Sequence, residues 1–347
     1  MELLAVSNSL VIWPLWADRA NDGMGEGNDV TENRELKITI MIPTFNQADF
    51  IGEAIQSALS QTYSNLEIIV GDDASTDTTP NIVSGFLDVR IKYIRNAANI
   101  GRTANYRNLL FKHATGDYVV NLDGDDYYTD PDFIAESVKL ITGDQNVVMV
   151  AAKASWKISS NILISNIPDT EEISGLVLVR NLPDKKYYLM HMATLYARAV
   201  AVKFDFYGSN SNSSDWESLY RLSLRGKTKY LDRSVGIWRI HGDNESMTTD
   251  CEKLFLNLAI WPSIYDDAIN YGLSPMQAKM ICAKCIACFA SSFGANISLN
   301  GNADLVKFLA GVWRRYKLAS LVLGLTPKYA ARIVFSLLGY YRLRRLR

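Results

Sequence analysis

The sequence predicts an α/β protein with a doubly wound, mostly parallel sheet and a C-terminal helical appendage. Three observations support this fold class. Short apolar, β-branched runs alternate with amphipathic helical segments between residues 38 and 152. Polar side chains directly follow several of these runs, as is common where parallel strands end at a binding crevice. From residue 251 onward the spacing of apolar residues is helical throughout.

The first two pairs of strand and helix have the clearest pattern. Residues 38–43 form a continuous apolar run, which is typical of a parallel strand buried on both faces. Apolar residues then recur at helical spacing through residues 51–59 and form one face that can pack on a sheet. The order repeats with a strand at residues 66–70 and a helix that has Thr79 as its N-cap and Pro80 as its first residue.

The next elements continue the alternation. Strands are predicted at residues 91–94 and 117–122, and a helix at residues 103–113 lies between them. A helix at residues 133–140 and an apolar strand at residues 147–152 extend the core. The regular pattern then fades, and helical spacing returns only after a polar, serine-rich loop.

Polar residues end three of the predicted strands. Thr44, Asp73 and Asp123 each follow a strand, so we expect them to line one crevice at the carboxyl edge of the sheet. Asp123 opens the sequence Asp-Gly-Asp-Asp at residues 123–126. Carboxylates this close repel one another, and a hard divalent metal that carries phosphates relieves the repulsion. The cluster therefore predicts a nucleotide diphosphate site, with a solvated turn as the rival interpretation.

The composition is that of an ordinary globular protein. The 347 residues are 48% hydrophobic and 21% charged, and the formal net charge is -1. The length is sufficient for one large domain or two smaller ones. The near-neutral charge argues against nucleic acid as the main partner, because binding to a phosphate backbone needs a broad basic surface.

The cysteines favour a structural role. Three of the four, Cys282, Cys285 and Cys288, have a spacing that occurs in iron–sulfur proteins. No fourth cysteine follows and no proline flanks them, so packing in a helix is the favoured interpretation and metal or redox chemistry the alternative. So few cysteines fit a reducing cytoplasm.

The two ends of the chain differ in character. Residues 1–35 contain Glu2 and no basic residue before Arg19, unlike a secretory signal, and we predict a leader of no assignable role. No apolar run reaches about 18 to 20 residues, so no transmembrane segment is predicted. Residues 305–347 contain ten Lys or Arg and no Asp or Glu. They predict an interfacial helix on an anionic membrane, and a domain helix with solvated charges is the alternative.

The ordered motifs resemble the inverting nucleotide-sugar glycosyltransferases of family 2, which have the glycosyltransferase A fold. The similarity begins near residue 36, and we predict a catalytic domain at residues 36–248 and a helical, basic region at residues 249–347. A lone Asp-x-Asp is weak evidence, whereas six elements in family order are strong. The six elements are Ile42-Pro43-Thr44-Phe45-Asn46, Gly71-Asp72-Asp73-Ala74-Ser75-Thr76-Asp77, Asn99-Ile100-Gly101 with Asn105 and Asn108, Gly116-Asp117-Tyr118 leading to Asp123-Gly124-Asp125-Asp126, Ser214-Asp215-Trp216-Glu217, and Trp238-Arg239-Ile240-His241.

The resemblance implies a nucleotide site at the ends of the first strands. The residues implied to cradle the base and ribose are Pro43, Thr44 and Asn46. Asp73 is expected to accept a hydrogen bond from the pyrimidine imide N–H, and its neighbour Asp72 to form the turn. Asp123 is expected to face the ribose.

The resemblance also implies a metal that bridges the diphosphate. Asp125 is the expected ligand of Mn²⁺ or Mg²⁺, which stabilises the leaving group. Arg239 and His241 are expected to hold the diphosphate or to complete the metal shell, although a lone histidine is often an ordinary hydrogen-bonding residue. Ser246 could add a hydroxyl to phosphate, and Asp126 is left without a role.

An inverting transfer needs a general base that takes the proton of the acceptor hydroxyl. Asp215 occupies the aspartate position of the family's Glu-Asp motif, so it is the expected base. Ser214 replaces the glutamate, so any second acidic role is lost or passes to Glu217. The alternative for Asp215 is a cap on the helix that follows.

The sequence thus predicts a metal-dependent, inverting, non-processive glycosyltransferase. Its expected substrates are a UDP-sugar, or another nucleoside-diphosphate sugar, and a glycan or lipid-linked acceptor of bacterial surface polysaccharide synthesis. The Gln-x-x-Arg-Trp motif of processive synthases and the Gly-rich loop of nucleotidyltransferases are missing. An inactive sugar-nucleotide-binding protein is supported only by Ser214. The expected location is cytoplasmic, at the inner face of the plasma membrane.

Overall fold

The computed structural model describes most of the chain after the leader. The described residues are 35–158, 161–165, 167–168, 170–184, 189–241, 248–298 and 301–338. Residues 1–34 of the predicted leader lie outside them. The last residues of the predicted interfacial helix, 339–347, with their four arginines, lie outside them as well. The segment Leu36–Arg347 clusters as one compact unit, and the domain boundary after residue 248 stays a prediction.

Strands and helices alternate in the first part of this unit. In chain order the elements are β1 (Ile38–Thr44), α1 (Ile51–Leu59), β2 (Leu66–Asp72), α2 (Thr79–Ser84), β3 (Ile91–Arg95), α3 (Arg102–Asn108) and β4 (Tyr118–Asn121). A π-helical turn, Leu109–His113, extends α3. Every residue of β1 is buried, which explains the continuous apolar run in the sequence.

Six more strands and a series of helices follow. The strands and the helices between them are β5 (Tyr127–Tyr128), α4 (Phe133–Ile141), β6 (Val147–Ile158), β7 (Asn161–Ile164), β8 (Glu172–Ser174), α5 (Gly175–Asn181), β9 (Thr194–Ala197), α6 (Arg198–Lys203), α7 (Ser214–Ser223) and β10 (Lys227–Arg239). The C-terminal helices are α8 (Cys251–Asn270), α9 (Pro275–Ile297), α10 (Asn302–Arg315), α11 (Lys317–Leu325) and α12 (Pro327–Leu337).

The strands form one sheet in the order β3-β2-β1-β4-β9-β6-β10-β5, with β7 paired to β6 and β8 to β10. The first four strands of this order are parallel, β9 is antiparallel to both of its neighbours, and β10 is parallel to β6. Ile40 and Ile42 of β1 pack in a core with α1, whereas Met41 packs in a second core with α3. Helices therefore cover both faces, which confirms the doubly wound α/β prediction.

The C-terminal helices share a core with the sheet. Its members include Tyr220 of α7, Trp261 of α8, Ile286 of α9 and Phe308 of α10. Cys285 and Cys288 of α9 are buried in or beside the core, and the Tyr265 hydroxyl lies 3.4 Å from the Cys285 sulfur. Burial raises the pKa of Cys282 to about 12, which disfavours the thiolate that a metal would need.

The helix α9 differs from the sequence-based expectation. It is long and apolar enough to cross a membrane by length and composition, although no such segment was expected. Half of its most apolar stretch is buried within the protein, and the core helices of soluble proteins can have the same length and apolar composition. Helices α11 and α12 are long and apolar enough to cross a membrane only if they are taken together, and a bend of 88° separates them.

Candidate active site

The carboxyl ends of β1, β2 and β4 meet, as the sequence predicted. The strand β1 pairs in parallel with β2 on one side and with β4 on the other. Beyond the strands, the Asp73 N–H donates to the Thr44 carbonyl at 2.9 Å and the Gly124 N–H to the Pro43 carbonyl at 3.1 Å. A Cβ at Gly124 would lie 2.9 Å from Oγ1 and 3.0 Å from Cβ of the buried Thr44, so a larger residue would push the two loops apart. The three polar strand ends therefore share one edge.

Two loops at this edge are tied to each other. The Asn46 N–H donates to Oγ of Ser75 at 2.9 Å, and the Thr76 N–H donates to Oδ1 of Asn46 at 2.8 Å. Asn46 and Ala74 have left-handed backbone conformations, with φ of 51° and 64°. Such conformations are uncommon outside glycine and are frequent at functional sites. Asn46 thus joins the loop after β1 to the loop after β2.

The two neighbouring carboxylates at the end of β2, Asp72 and Asp73, have different partners. Asp72 is fully buried and accepts the Ser75 N–H at 2.7 Å, so it forms the turn as expected. Asp73 is also buried and accepts the backbone N–H groups of Ile100 and Gly101 at 2.9 and 2.8 Å. Within the described residues, Oδ2 of Asp73 accepts only the Gly101 bond, so it keeps a lone pair for a ligand donor.

The acidic turn after β4 places its carboxylates in different surroundings. Asp123 is half-buried and accepts the Tyr106 hydroxyl at 2.7 Å and the Asn121 amide at 2.8 Å. Asp126 is buried and accepts the backbone N–H of Arg239 at 2.9 Å. Burial, together with the charges of the neighbouring carboxylates, raises the pKa of Asp126 well above its ordinary value. Asp126, whose role the sequence left open, therefore joins the acidic turn to the end of β10.

Asp125 pairs with a histidine that follows β10. Its Oδ2 lies 2.9 Å from Nε2 of His241, and the His241 ring stacks on Phe50 with ring centroids 5.1 Å apart. Burial and the charge of Asp123 raise the pKa of Asp125, and the bond to His241 opposes the rise. Two segments that are distant in sequence thus present an oxygen and a nitrogen ligand side by side. Ser246 lies outside the described residues.

Arg239 is held against the same turn. One of its guanidinium nitrogens donates to the backbone carbonyl of Asp125 at 2.6 Å, and another forms an ion pair with Glu53 of α1. The guanidinium carbon lies 4.3 Å from the centroid of the Tyr127 ring, a cation–π contact. Arg239 therefore reaches the acidic turn with its charge already paired to a carboxylate.

Asp215 lies in the first turn of α7 and does not cap that helix. Ser213 occupies the N-cap position, and no side chain caps the helix there, so the interpretation of Asp215 as a cap is wrong. The Asp215 carboxylate is partly exposed and accepts no hydrogen bond from the described part of the chain. Ser214 is buried, and its hydroxyl lies 3.3 Å from the Thr103 hydroxyl, which links α7 to α3.

Three aromatic residues lie between the acidic turn and α7, and the sequence did not indicate them. They are Tyr106, His191 and Tyr207. Burial has the largest effect on the pKa of Tyr106, and the charges of Asp123 and Asp215 raise it further, so this tyrosine lies near both carboxylates. No local sequence pattern identifies these three residues, because their contacts join Tyr106 of α3 to segments about a hundred residues away along the chain.

Comparisons of sequence give one family and several relatives. The model described as glycosyl transferase family 2 matches residues 39–235. The Escherichia coli UDP-Glc:alpha-D-GlcNAc-diphosphoundecaprenol beta-1,3-glucosyltransferase WfaP is 45% identical over 91 residues, 26% of this chain and 36% of that protein. The hyaluronan synthase of Pasteurella multocida is 27% identical over 215 residues, 62% of this chain and 22% of that protein. The matches thus span only about a third or less of these relatives.

Comparisons of structure extend over most of the chain. The 1–349 fragment of S. aureus TarS, solved with UDP-GlcNAc, has a TM-score of 0.62 at 19% identity and covers 88% of this chain and 91% of its own. A mannosyltransferase of Pyrobaculum calidifontis, solved with GDP-Man and Mn²⁺, has a TM-score of 0.53 at 17% identity and covers 90% and 87%. At these identities the likeness is one of fold, and it confirms the predicted glycosyltransferase A fold with its helical C-terminal region.

Proposed function

Because the chain belongs to glycosyl transferase family 2 over residues 39–235, we propose that it is a non-processive enzyme that transfers a sugar from a nucleoside-diphosphate sugar to a hydroxyl acceptor. The observation that carries the proposal is the pair of Asp125 and His241, 2.9 Å apart at the sheet edge that also bears the loops of Asn46 and Asp73. The pair offers ligands for a metal, and the loops offer contacts for a nucleotide. The nucleoside and the diphosphate of a sugar nucleotide therefore each have a proposed counterpart at this edge.

The proposed nucleotide site consists of Pro43, Thr44, Asn46 and Asp73, with Asp123 at the ribose. Asp73 is buried, and the remaining lone pair on Oδ2 suits the imide N–H of uracil. Asp123 is half-buried and adjoins these loops, where a carboxylate can accept hydrogen bonds from ribose hydroxyls. The name of the Escherichia coli relative specifies UDP-glucose, which supports a UDP-sugar as the donor.

The acidic turn fits a divalent cation shared with a diphosphate. Asp125 and His241 supply an oxygen and a nitrogen donor, a combination that suits Mn²⁺ and, less well, Mg²⁺. Their 2.9 Å contact is a hydrogen bond, and a bound cation would take the place of its proton. The described residues contain no group of three His, Cys, Asp or Glu arranged for a metal, so the ion would also need diphosphate oxygens. When bound, it would offset the charge that develops on the leaving diphosphate.

Arg239 is the proposed cationic contact of the diphosphate. Its guanidinium already donates to the Asp125 carbonyl, beside the proposed metal ligands. A diphosphate oxygen would replace the Glu53 carboxylate as its partner, and one charge-assisted hydrogen bond would take the place of another.

Asp215 is the proposed general base. It is partly exposed and accepts no hydrogen bond within the described residues, and its charge acts on Tyr106, which bonds Asp123. Its carboxylate can take the proton of the acceptor hydroxyl while that oxygen attacks the anomeric carbon. The bond from that carbon to the acceptor oxygen forms as the bond to the diphosphate breaks on the opposite face. The configuration at the anomeric carbon is thereby inverted.

We propose that the acceptor is a glycan or lipid-linked glycan of bacterial surface polysaccharide, met at the inner face of the plasma membrane. Helices α10 to α12 expose large apolar side chains, namely Trp313, Leu321, Leu325, Phe335 and Leu338. All charged residues between residue 305 and the chain end are Lys or Arg. Apart from Asp304 in the first turn of α10, the charged side chains of this surface are positive, so it is complementary to anionic lipid. The diphosphoundecaprenol in the name of the Escherichia coli relative is a lipid carrier of this kind.

Donor hydrolysis tests the proposal. The protein is incubated with UDP-, GDP- and dTDP-sugars and Mn²⁺, diphosphate release is followed, and nucleotide binding is measured in parallel. We expect turnover of a UDP-sugar, loss of turnover with a chelator, and weaker metal and donor binding in Asp125→Asn. Asp215→Asn should bind the donor normally and lose about 10²- to 10⁴-fold in kcat, as expected for removal of a general base.

Asp304→Asn is the matched control, because Asp304 lies in the first turn of α10 as Asp215 lies in the first turn of α7, and its side chain is exposed. It should behave as the wild type. If no sugar nucleotide binds or is hydrolysed, the transferase proposal is wrong. Binding without turnover in the wild type would instead indicate a sugar-nucleotide-binding protein that has lost catalysis.

A further inference from the structure

A histidine that none of the proposed roles uses lies beside the candidate active site. His191 belongs to the short helical turn His191–Ala193 before β9 and is half-buried. Its Nε2 lies 2.5 Å from the Tyr207 hydroxyl. The imidazole packs at steep angles against the rings of Tyr106 and Tyr207, with centroid distances of 5.5 and 5.6 Å. His191 is thus held on two sides by tyrosines.

Contacts through Tyr106 and Tyr207 connect His191 with the proposed ribose contact Asp123 and with α7, the helix of the proposed base. Burial has the largest effect on its pKa and lowers it, while the charges of Asp215 and Asp123 both act on the ring and raise it. Tyr106 links these groups, because its hydroxyl donates to Asp123 and its ring contacts His191. In a sugar nucleotide the sugar lies between the diphosphate and the attacking hydroxyl. His191 therefore adjoins the space that a transferred sugar would occupy.

One ring nitrogen of His191 remains for a ligand. Nε2 is occupied by Tyr207, whereas Nδ1 makes no hydrogen bond within the described residues and is not among their buried unpaired polar atoms. Nδ1 therefore keeps its hydrogen-bonding capacity for a ligand. In a neutral imidazole one nitrogen donates and the other accepts, so the bond to Tyr207 decides which role Nδ1 has. A sugar hydroxyl both donates and accepts, so it can pair with Nδ1 in either case.

Tyr207 holds this arrangement from a strained backbone conformation. Its φ is 59°, in the left-handed region that a bulky side chain rarely adopts. The ring is nevertheless only 1% exposed, and the Tyr207 N–H donates to Oγ of Ser218 in α7 at 2.8 Å. Strain of this kind persists where the surroundings determine the conformation, and it is concentrated at active sites. The same segment thereby connects the His191 ring to the helix that carries Asp215.

We propose that His191 binds a hydroxyl of the transferred sugar through Nδ1, and that Tyr207 is the positioning residue that holds the ring for this contact. The proposal rests on the glycosyltransferase function proposed above and adds a sugar subsite to it. His191 would then help to determine which sugar is transferred, because a site that bonds a substrate hydroxyl rejects analogues that lack it.

Two substitutions separate the ring nitrogens. His191→Asn keeps an amide near the position of Nδ1 and loses the Nε2 position, whereas His191→Gln reaches the Nε2 position and loses Nδ1. We expect His191→Gln to lower kcat/KM for the donor by about 10- to 100-fold and His191→Asn by clearly less, with UDP affinity unchanged in both. Tyr207→Phe, which keeps the ring, should lower kcat/KM about 5-fold. If both amide variants lose kcat/KM equally, and in step with the fall in their unfolding temperatures, the role of His191 is purely structural and the proposal is overturned.

A second measurement does not depend on turnover. The chain has three histidines, so their imidazole resonances can be followed by NMR and assigned with His191→Gln. The probes are UDP, UDP-glucose and UDP-N-acetylglucosamine, each with Mg²⁺. We expect at least one UDP-sugar to shift the His191 resonance and UDP alone to leave it in place. If UDP shifts the His241 resonance while no UDP-sugar shifts that of His191, the subsite is wrong and the proposed function stands. If no probe binds, both proposals fail.

Discussion

Asp73 serves the fold at the same position where a nucleotide is proposed to bind. Its carboxylate accepts the Asn96 amide at 2.9 Å in addition to the backbone N–H groups of Ile100 and Gly101. A buried N–H group that loses its acceptor costs about 1–3 kcal/mol. A change at Asp73 therefore acts on stability as well as on ligand binding, and the two effects have to be measured separately.

Replacing Asp73 by alanine should reduce the free energy of unfolding by about 1–3 kcal/mol, because the backbone N–H of Ile100 loses its acceptor, whereas that of Gly101 keeps its bond to Oδ1 of Asn99. Asp73→Asn keeps one acceptor oxygen, so it should cost less stability and still weaken UDP binding. Urea unfolding and calorimetry with UDP measure the two effects. Asp49→Ala, at an exposed aspartate in the neighbouring loop, is the control and should change neither. An Asp73→Ala variant as stable as the control would contradict the prediction.

Some residues of the site were predicted from the sequence, and others were not. Thr44, Asp73 and Asp123 were predicted to meet because each follows an apolar run, and parallel strands bring such positions to one edge. His191 and Tyr207 were not predicted. Their contact depends on a left-handed backbone at a tyrosine and on a hydrogen bond between residues that β9 and α6 separate, and neither leaves a periodic pattern.

At the scale of elements, one carboxylate links three neighbouring strands at the edge opposite the site. Glu67 of β2 accepts the Thr39 hydroxyl of β1 at 2.6 Å and the Thr115 N–H before β4 at 2.7 Å, and it pairs with Lys37 at 3.1 Å. Burial raises the pKa of Glu67, but the hydrogen bonds from Thr39 and Thr115 outweigh it and hold the pKa below its ordinary value.

The lowered pKa of Glu67 predicts a dependence of stability on pH. A carboxyl with a lower pKa in the folded state contributes stability above its unfolded pKa, and this contribution is lost as the pH falls through its folded pKa. Glu67→Gln should therefore be about 1–2 kcal/mol less stable than the wild type at pH 7, and the difference should shrink below about pH 4.5. Urea unfolding at several pH values measures it. Parallel curves would contradict the prediction, and donor binding at pH 7 should be unchanged.

The elements themselves were predicted unevenly. The boundaries of β1 to β4 agree with the sequence to within one or two residues. In β1, β2 and β4 the reason is burial, because strands buried on both faces are largely apolar. The insertion of antiparallel β9 between β4 and β6 was not predicted, and neither was the 13-residue strand β10 that carries Arg239 to the site. The pairing of β10 with β6 contains register shifts, which interrupt any regular alternation of side chains.

At the scale of the whole molecule, the apolar and basic surface of α10 to α12 predicts membrane binding. The protein should sediment with vesicles that contain anionic lipid and less with neutral vesicles, and salt should weaken the binding. Trp313→Ala and Leu321→Ser, at side chains that are 52% and 51% exposed, should each weaken it. Leu87→Ser is the control, because Leu87 is 93% exposed before β3 and outside this surface. Equal binding to both kinds of vesicle, or equal effects of all three variants, would count against a lipid-binding surface.

The reciprocal bonds between the loops after β1 and β2 have a consequence for how base preference can change. The Asn46 N–H donates to Oγ of Ser75, and the Asn46 side-chain oxygen accepts the Thr76 N–H. A substitution in either loop therefore removes hydrogen bonds that hold the other loop in place. Single substitutions in these loops are then poor routes to a new nucleotide specificity. Replacing both loops at once by the corresponding pair from a related protein would keep the hydrogen bonds between them and allow the nucleotide pocket to change.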